Sequence, residues 1–214
     1  MTNGTPNPAP AAPRKKLGLL GCLGIIVVLL VVAGLSVAGS YNKLNTLDQD
    51  VRAKWAQVEN AYQRRADLIP NLVETVKGAA NFEKDTYTAV TEARAKVGQV
   101  KLDASQLNDP AAFEKFQKAQ DELGSAIGRL LVAVEAYPDL KATQNFRDLQ
   151  VQLESTENRI TQERRVFNES AQSFNTKRMS FPTVLIAGLF GSRFAEKAYF
   201  KSVAGSETAP KVKF

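Results

Sequence analysis

Between Leu17 and Gly39 runs a stretch of 23 residues whose only ionisable side chain is the Cys22 thiol and whose only other polar one is Ser36. As a helix rising about 1.5 Å per residue it matches a hydrocarbon core of roughly 30 Å, so residues 17–39 are expected to cross a membrane and the rest of the chain must be arranged around that span. The amino-terminal flank carries Arg14, Lys15 and Lys16, while the other side offers only Lys43 before Arg52 and Lys54. That asymmetry predicts a single-pass protein of the cell (inner) membrane with a cytoplasmic amino terminus and an exported domain. Residues 1–13 hold four prolines and no charged side chain, and residues 1–16 are read as a disordered, basic-ended tail.

Two shorter signals inside the span point elsewhere and are set aside. Gly39-Ser40 imitates a signal-peptide cleavage site, but the apolar run is longer than such peptides use. Leu19-Leu20-Gly21-Cys22 imitates a lipoprotein processing box, yet too few residues separate it from the basic cluster, and Cys22 is expected to be inert apolar filler. Gly34 and Ala38 form a small-residue pair of the kind that lets spanning helices approach one another, a weak signal here.

Beyond the span, Leu44, Val51, Val58, Arg65 and Leu72 recur every seven residues, and Trp55, Tyr62, Ile69 and Val76 form a second series offset by four. This is the seam of a long packed helix, from near Tyr41 to about Ala79 and continuous with the span. Two residues strain the pattern. Pro70 cannot donate to the carbonyl of Ala66, which predicts a kink between them. Arg65 holds a core-facing position, where its five donors need acceptors. Two outcomes are open for it: the guanidinium snorkels out along its stem, or it forms a buried polar knot with a carboxylate of the last long helix, where Glu154, Glu157 and Glu163 are the candidates.

A second helix is expected at about Asn81–Lys96 with Phe82, Tyr87, Val90 and Ala93 on one side, followed by a loop over 98–108. Asp109-Pro110 opens a third helix as cap and first residue, with Phe113, Phe116, Gln120, Leu123, Ile127, Leu130, Val134 and Tyr137 as its seam. After Pro138 a fourth, starting at Asp139 or Thr143 and reaching about Met179, carries Phe146, Leu149, Leu153, Ile160, Phe167 and Phe174. The apolar run Thr183–Phe190 is too short to span a bilayer. It either caps the core or lies at a membrane or partner surface. The expected fold is all-α, an N-terminal transmembrane helix followed by an elongated antiparallel helical bundle over residues 41–200, with a flexible tail at 201–214.

Composition narrows the chemistry. The chain has no histidine and one cysteine, which removes the usual zinc sets, the Ser-His-Asp triad and the Cys-His pair, and no carboxylate pair stands out at a useful spacing. No enzyme activity, cofactor or metal is expected. The net charge of +6 sits mainly at the ends: without the first 40 and last ten residues, 23 basic side chains face 21 acidic ones with the signs interleaved. No nucleic acid is expected as a partner.

The residues carrying most of these features also carry a resemblance. Tyr41-Asn42-x-Leu44, Val51-x-x-x-Trp55-x-x-Val58-Glu59-Asn60 and Tyr62-Gln63-Arg64-Arg65-x-Asp67-Leu68-Ile69-Pro70-Asn71-Leu72-Val73 resemble the LemA family, as do Glu83, Ala93-Arg94, Glu157-Asn158-Arg159-Ile160, Phe167-Asn168, Phe174-Asn175 and Phe181-Pro182. The resemblance covers most of residues 41–200. It implies a single-pass membrane protein with a helical bundle and no established catalytic residues, in a family with one branch tied to building magnetosome membranes and genes that often neighbour those of membrane metalloproteases. Phe190–Ala195 departs from the family's more apolar, proline-containing stretch there. The candidate structural or interaction residues are Trp55, Arg64, Arg65, Asp67, Pro70, Asn71, Glu157, Asn158 and Arg159. The expected partners are the lipid bilayer and other membrane proteins, with a homo-oligomer among the arrangements; the expected role is a membrane-anchored scaffold or adaptor, the alternative an exported sensor signalling through a separate membrane partner.

Overall fold

The computed structural model describes residues 15–79 and 82–201, with side chains described from Leu23 onward. Helices α1 (Lys15–Lys77), α2 (Lys84–Gln99), α3 (Pro110–Val134), α4 (Pro138–Lys141), α5 (Gln144–Met179) and α6 (Thr183–Leu189) are followed by a 3-10 turn at Gly191–Phe194. An extended strap, residues 195–201, then closes the described part, and there is no strand among the described residues. The all-α architecture is as the heptad seams require. The expected tail at 1–16 falls almost wholly outside the described residues, as does 202–214; Lys201, where the second tail was placed to begin, is held by Gln117, which donates to its carbonyl at 2.8 Å.

α1 is one helix of 63 residues, and nothing interrupts it between the apolar segment and the bundle. From Leu23 to Gly39 every side chain is exposed, and from Leu44 onward the seam is buried: Leu44, Val51, Trp55, Val58, Tyr62, Ile69, Leu72 and Val76 all face inward. Pro70 lies inside α1 without ending it. The Ala66 carbonyl that Pro70 leaves without its helical donor accepts instead from Arg94 Nε on α2, at 3.0 Å.

α5 packs antiparallel along α1, and α2 packs against α3 and α1. The register is set by two pairings, Arg65 with Glu157 and Ser170 Oγ donating to Asp50 at 2.6 Å. α3 starts as expected, with Asp109 Oδ1 accepting from the amides of Ala111 and Ala112 and Pro110 as the first helical residue. Its seam is buried through Val134, where the helix ends; Tyr137 has left it but keeps its ring 4.9 Å from Phe82. α2 begins at Lys84 rather than near Asn81, because Glu83 is extended and takes the cap position. α5 starts at Gln144, capped by Thr143 Oγ1, and Pro138 opens only the single turn of α4.

The core falls into two parts. The proximal part, nearer the apolar segment, gathers the rings of Trp55, Phe113, Phe116, Phe167, Phe174, Phe194 and Phe200 with Leu44, Val51 and Val58; the distal part is mainly aliphatic, from Leu68, Ile69, Leu72 and Val76 to Leu123, Ile127, Leu130 and Leu153. Residues 183–190 divide their allegiance. Thr183, Ile186 and Ala187 enter the core, whereas Leu185 and Leu189 point out.

Candidate functional site

Between the two cores lies a polar layer centred on Arg65, which is only 3% exposed. Above and below it α1 supplies apolar seam residues, and the acceptors for its guanidinium come from α3 and α5. Arg65 Nη1 donates to both carboxylate oxygens of Glu157, at 3.0 and 3.3 Å, while Nη2 donates to the Gln120 carbonyl at 3.0 Å and to Gln120 Oε1 at 2.5 Å. The guanidinium carbon also sits 5.1 Å from the centre of the Tyr62 ring, a cation–π contact inside the layer. A planar fork that gives one nitrogen to a carboxylate and the other to a backbone carbonyl is what arginine offers and lysine does not. Burial pushes the Tyr62 phenol up to about 12, the nearby Arg164 and Arg65 only partly opposing it.

The layer decides between the two outcomes for Arg65: it is a buried knot, and Glu157 is the counter-charge. Glu154 is exposed, and Glu163 is engaged by Arg159 Nε at 2.9 Å. Glu157 itself keeps 43% of its side chain in water, so the pair joins the dry centre of the bundle to its surface.

The remaining candidates are spread more widely. Trp55 is buried in the aromatic core, with ring centroids of Phe116 and Phe167 at 5.4 and 5.5 Å. Arg64, Asp67, Pro70, Asn71, Asn158 and Arg159 are exposed. Asp67 accepts from Gln63 Nε2 at 2.7 Å, and the Asn71 carbonyl accepts from Thr75 Oγ1 at 2.8 Å. Arg64 and Arg159 are brought together across the α1–α5 seam, lining one polar groove with Gln57, Asn60, Ser155 and Thr156. The structure therefore joins Arg65 to Glu157 and Arg64 to Arg159, and leaves Asp67, Asn71 and Asn158 as surface residues.

Several polar groups escaped the sequence reading. Gln120 was placed in the α3 seam but not recognised as an acceptor for Arg65; a polar residue between Phe116 and Leu123 was the signal. Three amides bind the strap's backbone in two-bond pairs: Asn175 to Lys197, Asn168 to Phe200 and Gln117 to Lys201, each accepting from the amide and donating to the carbonyl at 2.8–3.1 Å. Near the base of the bundle, buried Asp48 meets Lys197 Nζ at 2.6 Å and Arg52 Nε at 2.8 Å. Burial alone would raise the Asp48 carboxyl, but the two cations together outweigh it and hold it below the usual carboxylate value.

Among the described residues no group of three or more His, Cys, Asp or Glu side chains is placed to hold a metal. A wider groove between α2 and α3 is lined by Glu92, Lys96, Glu114, Lys118, Asp121 and Glu122, opposite charges that face solvent together.

A lipid-length apolar helix, exposed at every described side chain from Leu23 to Gly39, that continues as the principal helix of an antiparallel bundle defines a membrane-associated helical-bundle protein. The LemA family model matches residues 54–214, and the chain belongs to that family. It is similar to magnetosome protein MamQ 2 of Paramagnetospirillum magneticum, with 27% identity over 212 residues, covering 91% of this chain and 77% of that protein. It is also similar to magnetosome protein MamQ of Magnetospirillum gryphiswaldense, at 27% over 202 residues with 87% and 74% covered, and to protein LemA of Metamycoplasma hominis, at 24% over 187 residues with 87% and 80% covered.

Proposed function

We propose that this chain is a non-enzymatic scaffold of the cell membrane, anchored by residues 17–39 with its bundle exported, that works by association with copies of itself or with other membrane proteins in organising the membrane. The observation that carries this reading is the unbroken α1. It runs from the exposed apolar segment into the bundle, holding the α1–α5 face at a fixed height above the span. On that face the Arg64–Arg159 groove offers two guanidinium groups and several amide and hydroxyl groups, a surface suited to a polar protein partner. The likeness to magnetosome proteins supports membrane organisation as the setting.

The test is the mass of the full-length chain extracted in mild detergent, by light scattering and native mass spectrometry. A defined homo-oligomer, or a stoichiometric second protein, is the expected result, and the Arg64→Glu, Arg159→Glu double variant is expected to disperse it. A monomer without a partner at membrane-like protein densities overturns the scaffold reading.

A further inference from the structure

Outside the span, the described residues with large, exposed apolar side chains are few, and most of them cluster. Met179, Phe181, Val184, Leu185, Leu189 and Phe190 lie within twelve consecutive positions, against Val132, Val151 and Tyr199 in all the rest of the bundle. Phe181 and Leu189 are each 80% exposed. Burying that surface against something is favourable, and its position says what.

The antiparallel register that pairs Arg65 with Glu157 and Asp50 with Ser170 brings Met179, at the end of α5, level with about residue 42 of α1. α6 follows at once and is tied to the same level of α1. The Tyr41 ring lies 5.0 Å from that of Phe190 and 5.5 Å from that of Phe194, and Arg193 Nη2 donates to Asn45 Oδ1 at 3.1 Å. The turn that returns Arg193 to α1 passes through Gly191 at φ +52°, a conformation a side chain would strain. The exposed face of α6 thus lies within a turn of Gly39, where the lipid-length segment of α1 ends.

Charge agrees with position. No acidic residue occurs between Ser170 and Ala195 or between Lys15 and Leu47, whereas Lys43, Lys177, Arg178 and Arg193 all fall at this level. An apolar face ringed by cations is the composition of a helix lying at the boundary of acyl chains and anionic headgroups.

We propose that Phe181, Leu185, Leu189 and Phe190 rest in the acyl–headgroup boundary of an anionic bilayer, with Lys43, Lys177, Arg178 and Arg193 at the phosphates, so that the base of the bundle is a second membrane contact beside the span. This rests on the span reading of residues 17–39. Lipid is the occupant because the patch is continuous with a segment that is itself in lipid, and because the charged side chains nearest it in sequence, Lys177, Arg178 and Arg193, are basic, Glu196 being the first acid beyond them. The contact fixes the rotation of the bundle about α1 as well as its height.

The test uses the full chain with Cys22→Ala, reconstituted in vesicles of phosphatidylcholine and phosphatidylglycerol, and an environment-sensitive fluorophore attached in turn through Leu189→Cys, Val132→Cys and Val28→Cys. Doxyl groups at shallow and deep acyl positions serve as quenchers. The Leu189 label is expected to be quenched several-fold more than the Val132 label, best by shallow doxyl, with the excess shrinking in phosphatidylcholine alone; the Val28 label should respond best to deep doxyl. Quenching at Leu189 no greater than at Val132, with Val28 still quenched, overturns the surface contact and leaves the span intact. Loss of quenching at Val28 takes down the span and the proposal with it. A Leu189 label shielded from aqueous iodide yet untouched by doxyl, and unshielded on dilution with lipid, assigns the patch to a second copy and overturns the lipid contact. An excess unchanged in phosphatidylcholine alone overturns the role of the cations.

Discussion

The two halves of the core are built from the same helices but by different means. The distal half, from Leu68 and Leu123 to Leu130 and Leu153, is mainly aliphatic and walled by helices that satisfy their own backbones except at Pro70, where Arg94 closes the Ala66 carbonyl. The proximal half is aromatic, and one of its walls is the strap 195–201, whose amides and carbonyls have no helix to close them. There the bundle supplies Asn168, Asn175 and Gln117, each side-chain amide matching one backbone donor and acceptor as a neighbouring strand would. An irregular wall can be made part of a core if the opposing helix carries amides at the right turns.

Four substitutions sharpen or break this contrast. Trp55→Ala removes the ring around which Phe113, Phe116, Phe167 and Phe200 pack, and is expected to cost about 3–5 kcal/mol in chemical denaturation of the detergent-solubilised chain. Hydrogen exchange should rise most in α6 and the strap and least in α2; uniform loss of protection would show that the two halves are one unit.

Next comes the layer between them. Glu157→Ala takes the carboxylate from Nη1 on the side that water reaches, while Nη2 keeps Gln120, and is expected to cost about 1 kcal/mol, whereas Arg65→Met ends the ion pair and also leaves the buried Gln120 Oε1 without its donor, and is expected to cost about 3 kcal/mol. Equal costs, measured side by side, would mean that the layer is solvated.

The substitution that matters least at neutral pH is read at alkaline pH. The Tyr62 phenol titrates at about 12 in the fold against an ordinary value of 10.0, so the folded state keeps the proton longer than the unfolded chain does. Its stabilising contribution is complete below pH 10 and falls as pH rises from 10 to 12, by about 2–3 kcal/mol in all. Tyr62→Phe should flatten that slope while changing neutral-pH stability little. An unchanged slope would place the sensitivity elsewhere.

Most of the helices could be read from the chain because their seams are periodic, and Asp109-Pro110 and Thr143 mark their starts by local chemistry. Arg65 stood out because a charged group broke an apolar series. The glutamate that meets it could be narrowed to three but not to one: Glu154, Glu157 and Glu163 differ only in how α5 is set against α1, a register no single helix contains. Arg94 closing the Ala66 carbonyl was illegible for the same reason, since it depends on where α2 packs. The strap has no period to detect. Its partners did leave a trace, since Phe167-Asn168 and Phe174-Asn175 repeat at an interval of seven, placing an amide beside each buried ring.

The continuity of α1 has one further consequence. At about 1.5 Å per residue its 63 residues make a helix of about 95 Å, unbroken between the apolar segment and the bundle. Copies sharing a membrane would then carry their α1–α5 faces in one plane, so that encounters between them become a search in two dimensions with most of the orientation already settled. Contacts too weak to hold two free bundles together in solution can suffice for neighbours confined in that way, and assembly would answer to crowding in the membrane more than to the strength of any single contact.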